Sequence, residues 1–228
     1  MTGLCKYTAV TDLTTACSPG LVAGGCLLYD GRCQDIKAQN QIVLTRSLQE
    51  APPGTTLWVP PGKYYVDAGV YAPLVDGINL RLEGTLYFGG AELQSHESVR
   101  DHWPNFKASK KRKACNCITI KRFNNFSITA RPGYKGVIDG GGPAWYGIGA
   151  TTDIGIAHID GGLSGPKPAL MNIGRESDPL KPEHSRGLLL ENVWLKDSGY
   201  WTLLVRASDV IIRNFTVSAR QMWKGQPP

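Results

Sequence analysis

The composition of this 228-residue chain is that of a globular protein rich in turns. Hydrophobic residues make up 42% of it and charged residues 19%, and it holds 27 glycines and 15 prolines, which argues against a disordered chain. Its net charge of +6 is compatible with polyanionic partners without requiring them. No apolar run approaches the ~18 residues of a membrane-spanning helix. The N-terminus also lacks a charged segment followed by an apolar one, so we predict a soluble chain without membrane contact and without a visible secretion signal.

Residues 1–40 form a glycine-rich stretch without clear periodicity, which predicts an irregular N-terminal extension. Four of the six cysteines lie here, and an even number in a short irregular segment favours two disulfides in an oxidising compartment. Free thiols are the alternative, because a zinc site would need closer paired spacing. The four cysteines are Cys5, Cys17, Cys26 and Cys33.

Residues 41–228 are predicted to form one domain, which opens with a short amphipathic helix from Ile42 to Glu50. Pro52-Pro53-Gly54 would end this helix. A helix at this place would cover the open end of the strands that follow, which otherwise expose apolar faces and unpaired backbone groups. Its buried side would carry Ile42, Val43, Leu44 and Leu48.

The same short pattern occurs twice between Arg186 and Ala219, with matched residues 22 positions apart. Apolar residues alternate with polar ones on both sides of Asn192 and again of Asn214. Alternation with period two indicates strands, and the asparagine indicates a bend between them. The matched pairs are Leu188 and Val210, Leu190 and Ile212, Val193 and Phe215, and Leu195 and Val217.

A similar pair of segments, residues 55–66 and 77–88, shows the same offset of 22 with a glycine at the bend. A unit of this length cannot bury its own apolar face, so the copies must stack on one another. The spacing of the apolar residues is not helical, which favours an all-β parallel solenoid over a helical repeat. The matched pairs are Trp58 and Leu80, Gly62 and Gly84, Tyr64 and Leu86, and Val66 and Phe88.

Residues 118–130 carry a further copy, in which Asn125 matches Asn192 at a difference of 67. This alignment predicts that Asn125, Asn192 and Asn214 stack at one bend as an asparagine ladder. Asn125 and Asn214 also begin Asn-x-Ser/Thr sequences that read as glycosylation acceptors. We favour the interpretation that these side chains are directed into the bend, where they could not be modified after folding, and glycosylation is the alternative.

Residues 89–117 interrupt the repeat and form a candidate wall of a binding cleft. For Asp101-His102-Trp103 we favour ordinary loop packing, with the lining of a sugar site as the alternative. The basic run Lys107 to Lys113 has no basic helix or aromatic platform beside it, which favours a solvated loop over a nucleic-acid site. Cys115 and Cys117 lie two residues apart at a strand start, so we expect burial rather than a bond between them.

Residues 136–147, GVIDGGGPAWYG, resemble the G-x-I-D-G-x-G-x-x-W-W/Y signature of the polygalacturonase-type glycoside hydrolases, family 28. Lys167 stands where that family has arginine. The resemblance covers about residues 42–228 and implies a right-handed, single-stranded parallel β-helix of the pectin lyase type with a short capping helix. Four other segments resemble family motifs in the family order: VPPGKY at 59–64, LRLEGTL at 80–86, KPAL at 167–170 and SGYWT at 198–202.

The resemblance implies a secreted, extracellular enzyme that hydrolyses α-linked galacturonan (pectin) with inversion and needs no metal or other cofactor. Inversion uses two carboxyl groups roughly 6.5–9.5 Å apart. The family carries its catalytic and binding residues in N-T-D, D-D, G-H-G and R-I-K motifs, and none of the four occurs in this sequence. We therefore assign no catalytic, cofactor-binding or metal-binding residue. We expect a β-helix that is incomplete at its C-terminus and inactive alone, with a polysaccharide (pectin or polygalacturonate) as partner of a monomeric complete protein and no nucleic-acid partner.

Acidic residues elsewhere do not replace the missing motifs. Asp139 is interpreted as an acceptor that stabilises a turn rather than as a catalytic acid. Two other functions remain as alternatives. One is a pectate-lyase-like enzyme that uses Ca²⁺ and a basic residue, and the other is a non-catalytic carbohydrate-binding or structural β-helix. The loop residues Asp153, His158, Asp160, Asp178 and His184 are expected to be solvated.

Overall fold

The structure, a computed structural model, describes residues 10–12, 32–88, 116–142, 169–181, 183–199 and 201–219, with side chains from residue 37 onward. These ranges form fourteen strands and one α-helix, α1, at Arg32–Glu50. Every strand pairing is parallel, so the fold is all-β with a single helix in the described ranges. Within them no helix is long and apolar enough to cross a membrane.

The strands are short, as expected for segments that end at closely spaced bends. The first seven are β1 Val10–Asp12, β2 Thr56–Val59, β3 Lys63–Tyr65, β4 Val70–Asp76, β5 Asn79–Leu82, β6 Thr85–Tyr87 and β7 Ile118–Thr129. The other seven are β8 Gly136–Asp139, β9 Met171–Ile173, β10 Arg186–Glu191, β11 Val193–Lys196, β12 Leu203–Val205, β13 Ser208–Arg213 and β14 Thr216–Ser218.

The strands fall into three sets, and each strand pairs with its counterpart in the next unit. The first set is β4, the first half of β7, β9 and β12. The second is β1, β2, β5, the second half of β7, β10 and β13. Because β7 belongs to both sets, they form one nine-stranded sheet, and β3, β6, β8, β11 and β14 form a separate five-stranded sheet. The chain visits the three sets in the same order in successive units.

The repeat of 22 residues is confirmed at the end of the chain. Leu188 pairs with Val210 and Leu190 with Ile212 in the nine-stranded sheet, and Leu195 pairs with Val217 in the five-stranded sheet. The sequence pattern predicted two strands in each unit and missed the first set. Strands β4 and β9 lie outside the matched segments, and β12 is a continuous apolar run, Leu203-Leu204-Val205, without alternation.

The predicted pairing of Trp58 with Leu80 is wrong by one residue. Leu57 pairs with Leu80, an offset of 23, whereas Tyr64 pairs with Leu86 at the predicted 22. The difference arises at the bends, since three residues separate β2 from β3 and two separate β5 from β6. Leu57 is therefore in the core, and Trp58 lies on the outer surface of its strand.

The predicted alignment of the three asparagines at one bend is confirmed only in part. Asn192 and Asn214 occupy the same bend in successive units, with φ of 58° and 48°. Asn125 lies instead at a kink within β7, because β10 pairs with β7 at an offset of 62 and not 67. There it is level with Gly187. Both bends need left-handed backbone, which asparagine and glycine adopt readily, so the sequence match could not tell one bend from the other.

Helix α1 has the predicted C-terminal end but begins ten residues before the predicted start, inside the segment expected to be irregular. Its first half is polar and lacks the apolar spacing on which the prediction depended. Leu44 and Leu48 are buried as predicted, and Val43 packs against the core. Ile42 is 48% exposed, contrary to the prediction, because two residues of helix turn it about 200° away from Leu44.

Side-chain amides attach α1 to neighbouring strands and their connections. Asn40 Nδ2 donates to the Tyr65 carbonyl at 2.8 Å, and Gln49 Nε2 donates to the Tyr71 carbonyl at 2.8 Å. Gln41 Nε2 donates to the Gly69 carbonyl at 3.0 Å. These bonds satisfy backbone acceptors beside the apolar contact, which supports the predicted covering role of the helix.

Candidate functional site

The outer face of the five-stranded sheet carries polar and aromatic residues in one row. In four of its strands, a residue buried in the core is followed by a residue whose side chain faces the outer side of the sheet. The four buried residues are Tyr64, Leu86, Ile138 and Leu195. The strand pairing places these following residues level with one another across the sheet. We call Tyr65, Tyr87, Asp139, Lys196 and Ser218 the outer row.

The aromatic end of the outer row is a tyrosine pair with a cation. The rings of Tyr65 and Tyr87 meet edge to face, with centroids 5.4 Å apart and planes at 84°. Lys63 Nζ lies 4.0 Å from the Tyr87 centroid and 4.9 Å from that of Tyr65. An ammonium at this distance is attracted to the negative face of an aromatic ring. The contact holds a positive charge beside two partly exposed rings.

The middle of the outer row is a cluster of two carboxylates around one ammonium. Lys196 Nζ donates to Asp139 Oδ2 at 2.7 Å and lies 3.2 Å from Asp197 Oδ2. Asp139 Oδ1 also accepts the Gly141 backbone N–H at 3.0 Å. Both aspartates are buried, where an unpaired charge would be costly. The lysine stabilises both of them there, and the backbone donor also stabilises Asp139.

Two groups of the outer row have shifted pKa values. Burial, followed by the charge of Asp139 and by Tyr65 and Asp197, raises the pKa of Tyr87 to about 12. Burial of Lys196 opposes its charge, but the bonds and charges of Asp139 and Asp197 outweigh this effect and raise its pKa. At neutral pH the row therefore presents a tyrosine hydroxyl and an ammonium, both of which are hydrogen-bond donors.

This arrangement suits binding better than acid–base catalysis. An inverting glycosidase holds a water molecule between its two carboxyl groups, one of which must be protonated. Here an ammonium bridges Asp139 and Asp197 instead. Partly exposed rings and hydrogen-bond donors are suited to stacking on a sugar and bonding its hydroxyl or carboxylate groups.

A third buried carboxylate, Glu83, is a structural centre beside the nine-stranded sheet. Arg131 binds it through Nε and through Nη2 at 2.8 Å, and Trp58 Nε1 donates to it at 3.0 Å. The hydrogen bond from Arg131 is the largest influence on the pKa of Glu83. Together with the Trp58 bond and the charges of Arg131 and Arg81, it lowers that pKa, although burial acts in the opposite direction.

The acidic and histidine residues considered in the sequence analysis do not come together in one site among the described residues. Asp139 accepts the bond from Gly141 in the turn, which confirms its predicted structural role. Asp178 accepts the Leu180 N–H at 3.0 Å, and His184 Nδ1 bonds Ser177 Oγ, so both make local bonds within their loop. Asp101, His102, Trp103, Asp153, His158, Asp160 and the run Lys107 to Lys113 lie outside the described residues.

Cys117 is buried in the core as predicted. Cys5, Cys17, Cys26 and Cys115, with the side chain of Cys33, lie outside the described part of the chain, so the predicted disulfides stay a prediction. Asn125 and Asn214 are exposed, which does not support the interpretation that their side chains are turned into the bends. Among the described residues, His, Cys, Asp and Glu side chains do not gather in threes as a metal site would require.

Tyr65, Tyr87 and Lys196 were not predicted from the sequence. The signal for them was present, because each directly follows an apolar residue assigned to the interior. In a strand, the residue after an inward position faces outward. Applying this rule to every copy would have identified the outer row.

Comparisons with protein-family models, curated proteins and solved structures found no match to this chain.

Proposed function

We propose that the chain is part of a polygalacturonase-like glycosidase, built as a right-handed, single-stranded parallel β-helix of the pectin lyase type. One observation carries the proposal. Three segments that resemble family motifs, VPPGKY, LRLEGTL and GVIDGGG, contribute to the adjacent strands β3, β6 and β8 of one sheet. Their residues Lys63, Thr85 and Val137 are level with one another. Motifs spread over residues 59–142 thus share one structural register.

The repeated order of the three strand sets supports the β-helix. Parallel neighbours require a crossover connection, and such crossovers are right-handed in almost all sheets. A chain that passes through three strand sets in fixed order, one unit after another, forms a solenoid with three faces. The outer row would then lie along one face of the solenoid.

In this proposal the described residues bind and position a galacturonan chain, and the complete protein hydrolyses it. The rings of Tyr65 and Tyr87 offer stacking surfaces, while Lys63 offers positive charge for a uronate carboxylate. The carboxylates that protonate the leaving oxygen and activate water belong to motifs that this sequence does not contain. The complete protein would be secreted and would act on cell-wall pectin as a monomer.

Binding and cleavage should be measured on the same purified 228-residue chain. Polygalacturonate is expected to retard the chain in affinity electrophoresis, while a reducing-end assay detects no product. Lys63→Met keeps an aliphatic side chain but removes the ammonium over the tyrosine rings, and should weaken binding about tenfold. Lys181→Met removes an equal charge from an exposed turn and should have no effect. The same retardation for both variants would contradict the assignment of the outer row.

A non-catalytic carbohydrate-binding β-helix is the second candidate. The ion pairs of Lys196 with Asp139 and Asp197 favour it, since they engage the buried carboxylates of the row in structural contacts. Reading the coding sequence beyond Pro228 separates the two candidates. Continuation into N-T-D and D-D motifs supports the hydrolase, and an immediate stop codon supports the binding protein. Activity that requires Ca²⁺ and yields an unsaturated, light-absorbing product would instead indicate a lyase.

A further inference from the structure

A polar groove lies at the bend between the second strand set and the five-stranded sheet. Its volume is about 310 Å³, near the lower limit of ligand sites, which run from roughly 300 to 1,000 Å³. It is open to solvent and crosses three successive units of the repeat. Its lining residues are Tyr134, Lys135, Asn192, Asn214, Phe215 and Thr216, and we call it the bend groove.

The backbone around the bend groove is held by the repeat. The Gly136 N–H, next to Lys135, donates to the Asn192 carbonyl at 3.0 Å. Asn192 Nδ2 donates to the Ala130 carbonyl at 2.9 Å, which joins neighbouring units across the bend. Asn214 follows one unit later in the same left-handed conformation. The side chains are thus presented by a backbone already fixed by pairing, which lowers the entropic cost of binding.

The charge of the bend groove comes from Lys135. Its Nζ donates to Thr216 Oγ1 at 2.6 Å and lies 5.7 Å from the Trp194 ring centroid. Lys121 and Lys196 form ion pairs with carboxylates, whereas no carboxylate among the described residues pairs with Lys135. An ammonium has three donors, so Lys135 can bond an anionic group while it keeps Thr216.

The other groups of the bend groove suit a sugar. The side-chain amide of Asn214 is exposed and forms no hydrogen bond with the described residues, so it can donate and accept. Tyr134 is 42% exposed, and the Arg131 guanidinium lies 5.1 Å from its ring centroid. That guanidinium is itself bound to Glu83, so the contact helps to fix the ring. A stacking ring, an amide and a cation are together able to recognise one sugar that carries a carboxylate.

We propose that the bend groove binds an acidic saccharide residue, with its carboxylate on Lys135 and its hydroxyl groups on Asn214. The choice of a sugar as ligand rests on the proposed function, whereas the negative charge of the ligand follows from the Lys135 ammonium in the groove. This position is separate from the outer row, which lies on the face of the five-stranded sheet. The groove would give the protein a second point of contact with a polyuronate chain.

The test is isothermal titration of the 228-residue chain, produced without glycosylation, with trigalacturonate, its methyl ester and neutral galactotriose. Loss of one charge-assisted hydrogen bond in Lys135→Met should weaken trigalacturonate binding about tenfold. Affinity for the methyl ester and for galactotriose should change less than twofold. Asn214→Ala should weaken binding of all three saccharides. Lys181→Met, which removes an equal charge outside the groove, should match the wild-type chain.

The outcomes separate this inference from the proposed function. If trigalacturonate affinity falls in Lys63→Met but is unchanged in Lys135→Met, the bend groove is refuted and the outer row stands. If the affinity for trigalacturonate falls in Lys135→Met and not in Lys63→Met, the bend groove is supported and the outer row is not the binding face. Failure of all three saccharides to bind the folded wild-type chain would overturn both.

Discussion

Two residues that face each other in paired strands differ in burial, so replacing each with alanine should lower the free energy of unfolding by different amounts. Leu190 in β10 and Ile212 in β13 are direct register partners, but Leu190 is 0% exposed and Ile212 is 43% exposed. Leu190→Ala removes a fully enclosed side chain and should lower the free energy of unfolding by about 3 kcal/mol, within the range for buried leucines. Ile212→Ala loses about half of the transfer term and leaves no enclosed cavity, so its cost should be about 1 kcal/mol.

Urea unfolding followed by circular dichroism measures both costs against the wild-type chain. A difference of about 2 kcal/mol should separate the two midpoints by roughly 1 M urea, given the usual dependence of unfolding on urea. Equal costs near 3 kcal/mol would refute the reasoning, because Ile212 would then be covered in solution. A cost below about 1 kcal/mol for Leu190→Ala would refute the interior position of β10.

Three further predictions concern backbone strain and ionisation. Gly174 and Gly133 both have positive φ, 77° and 86°, but an added Cβ would lie 2.0 Å from a backbone carbonyl oxygen at Gly174 and meets nothing within 4 Å at Gly133. Urea unfolding should therefore show a loss of about 1 kcal/mol for Gly133→Ala and at least 3 kcal/mol for Gly174→Ala, and similar losses would contradict the close approach of the Arg206 carbonyl to Gly174. The lowered pKa of Glu83 contributes stability above the unfolded-state pKa, and this stability is lost as pH falls through the folded-state pKa. Melting temperatures between pH 6 and 3 should thus fall more steeply for the wild-type chain than for Glu83→Gln. Parallel curves for the two chains would argue against a lowered pKa of Glu83. Ultraviolet titration, compared with Tyr87→Phe, should show Tyr87 ionising near pH 12, and Asp139→Asn should lower that value; a normal value near 10 would place the hydroxyl in solvent.

The strand units could be predicted because their signal is local. Alternation on both sides of Asn192 and Asn214 identified β10 and β11, β13 and β14, and the bend within each pair. The same alternation could have identified the outer row, since orientation within a strand follows from residue parity. The short strand β12 could not be predicted in this way, because Leu203-Leu204-Val205 is a continuous apolar run without alternation.

The register between distant segments was harder to predict than the segments themselves. Asn125 and Asn192 resemble each other because each occupies a left-handed position, yet they lie at different bends. Loops of different length separate the units, so counting residues cannot establish which copies are neighbours. Only the hydrogen bonds between strands determine the offset of 62 between β7 and β10.

For this protein, the sequence alone determined that short parallel β units repeat with apolar residues on the inside, because alternation and bend residues act over a few positions. Tertiary structure alone decided which side chains meet. Lys196 reaches Asp139 across 57 residues of chain, and Lys135 reaches Thr216 across 81. The physical reason is that stacking places counterparts about 4.8 Å apart in space, whatever length of chain separates them.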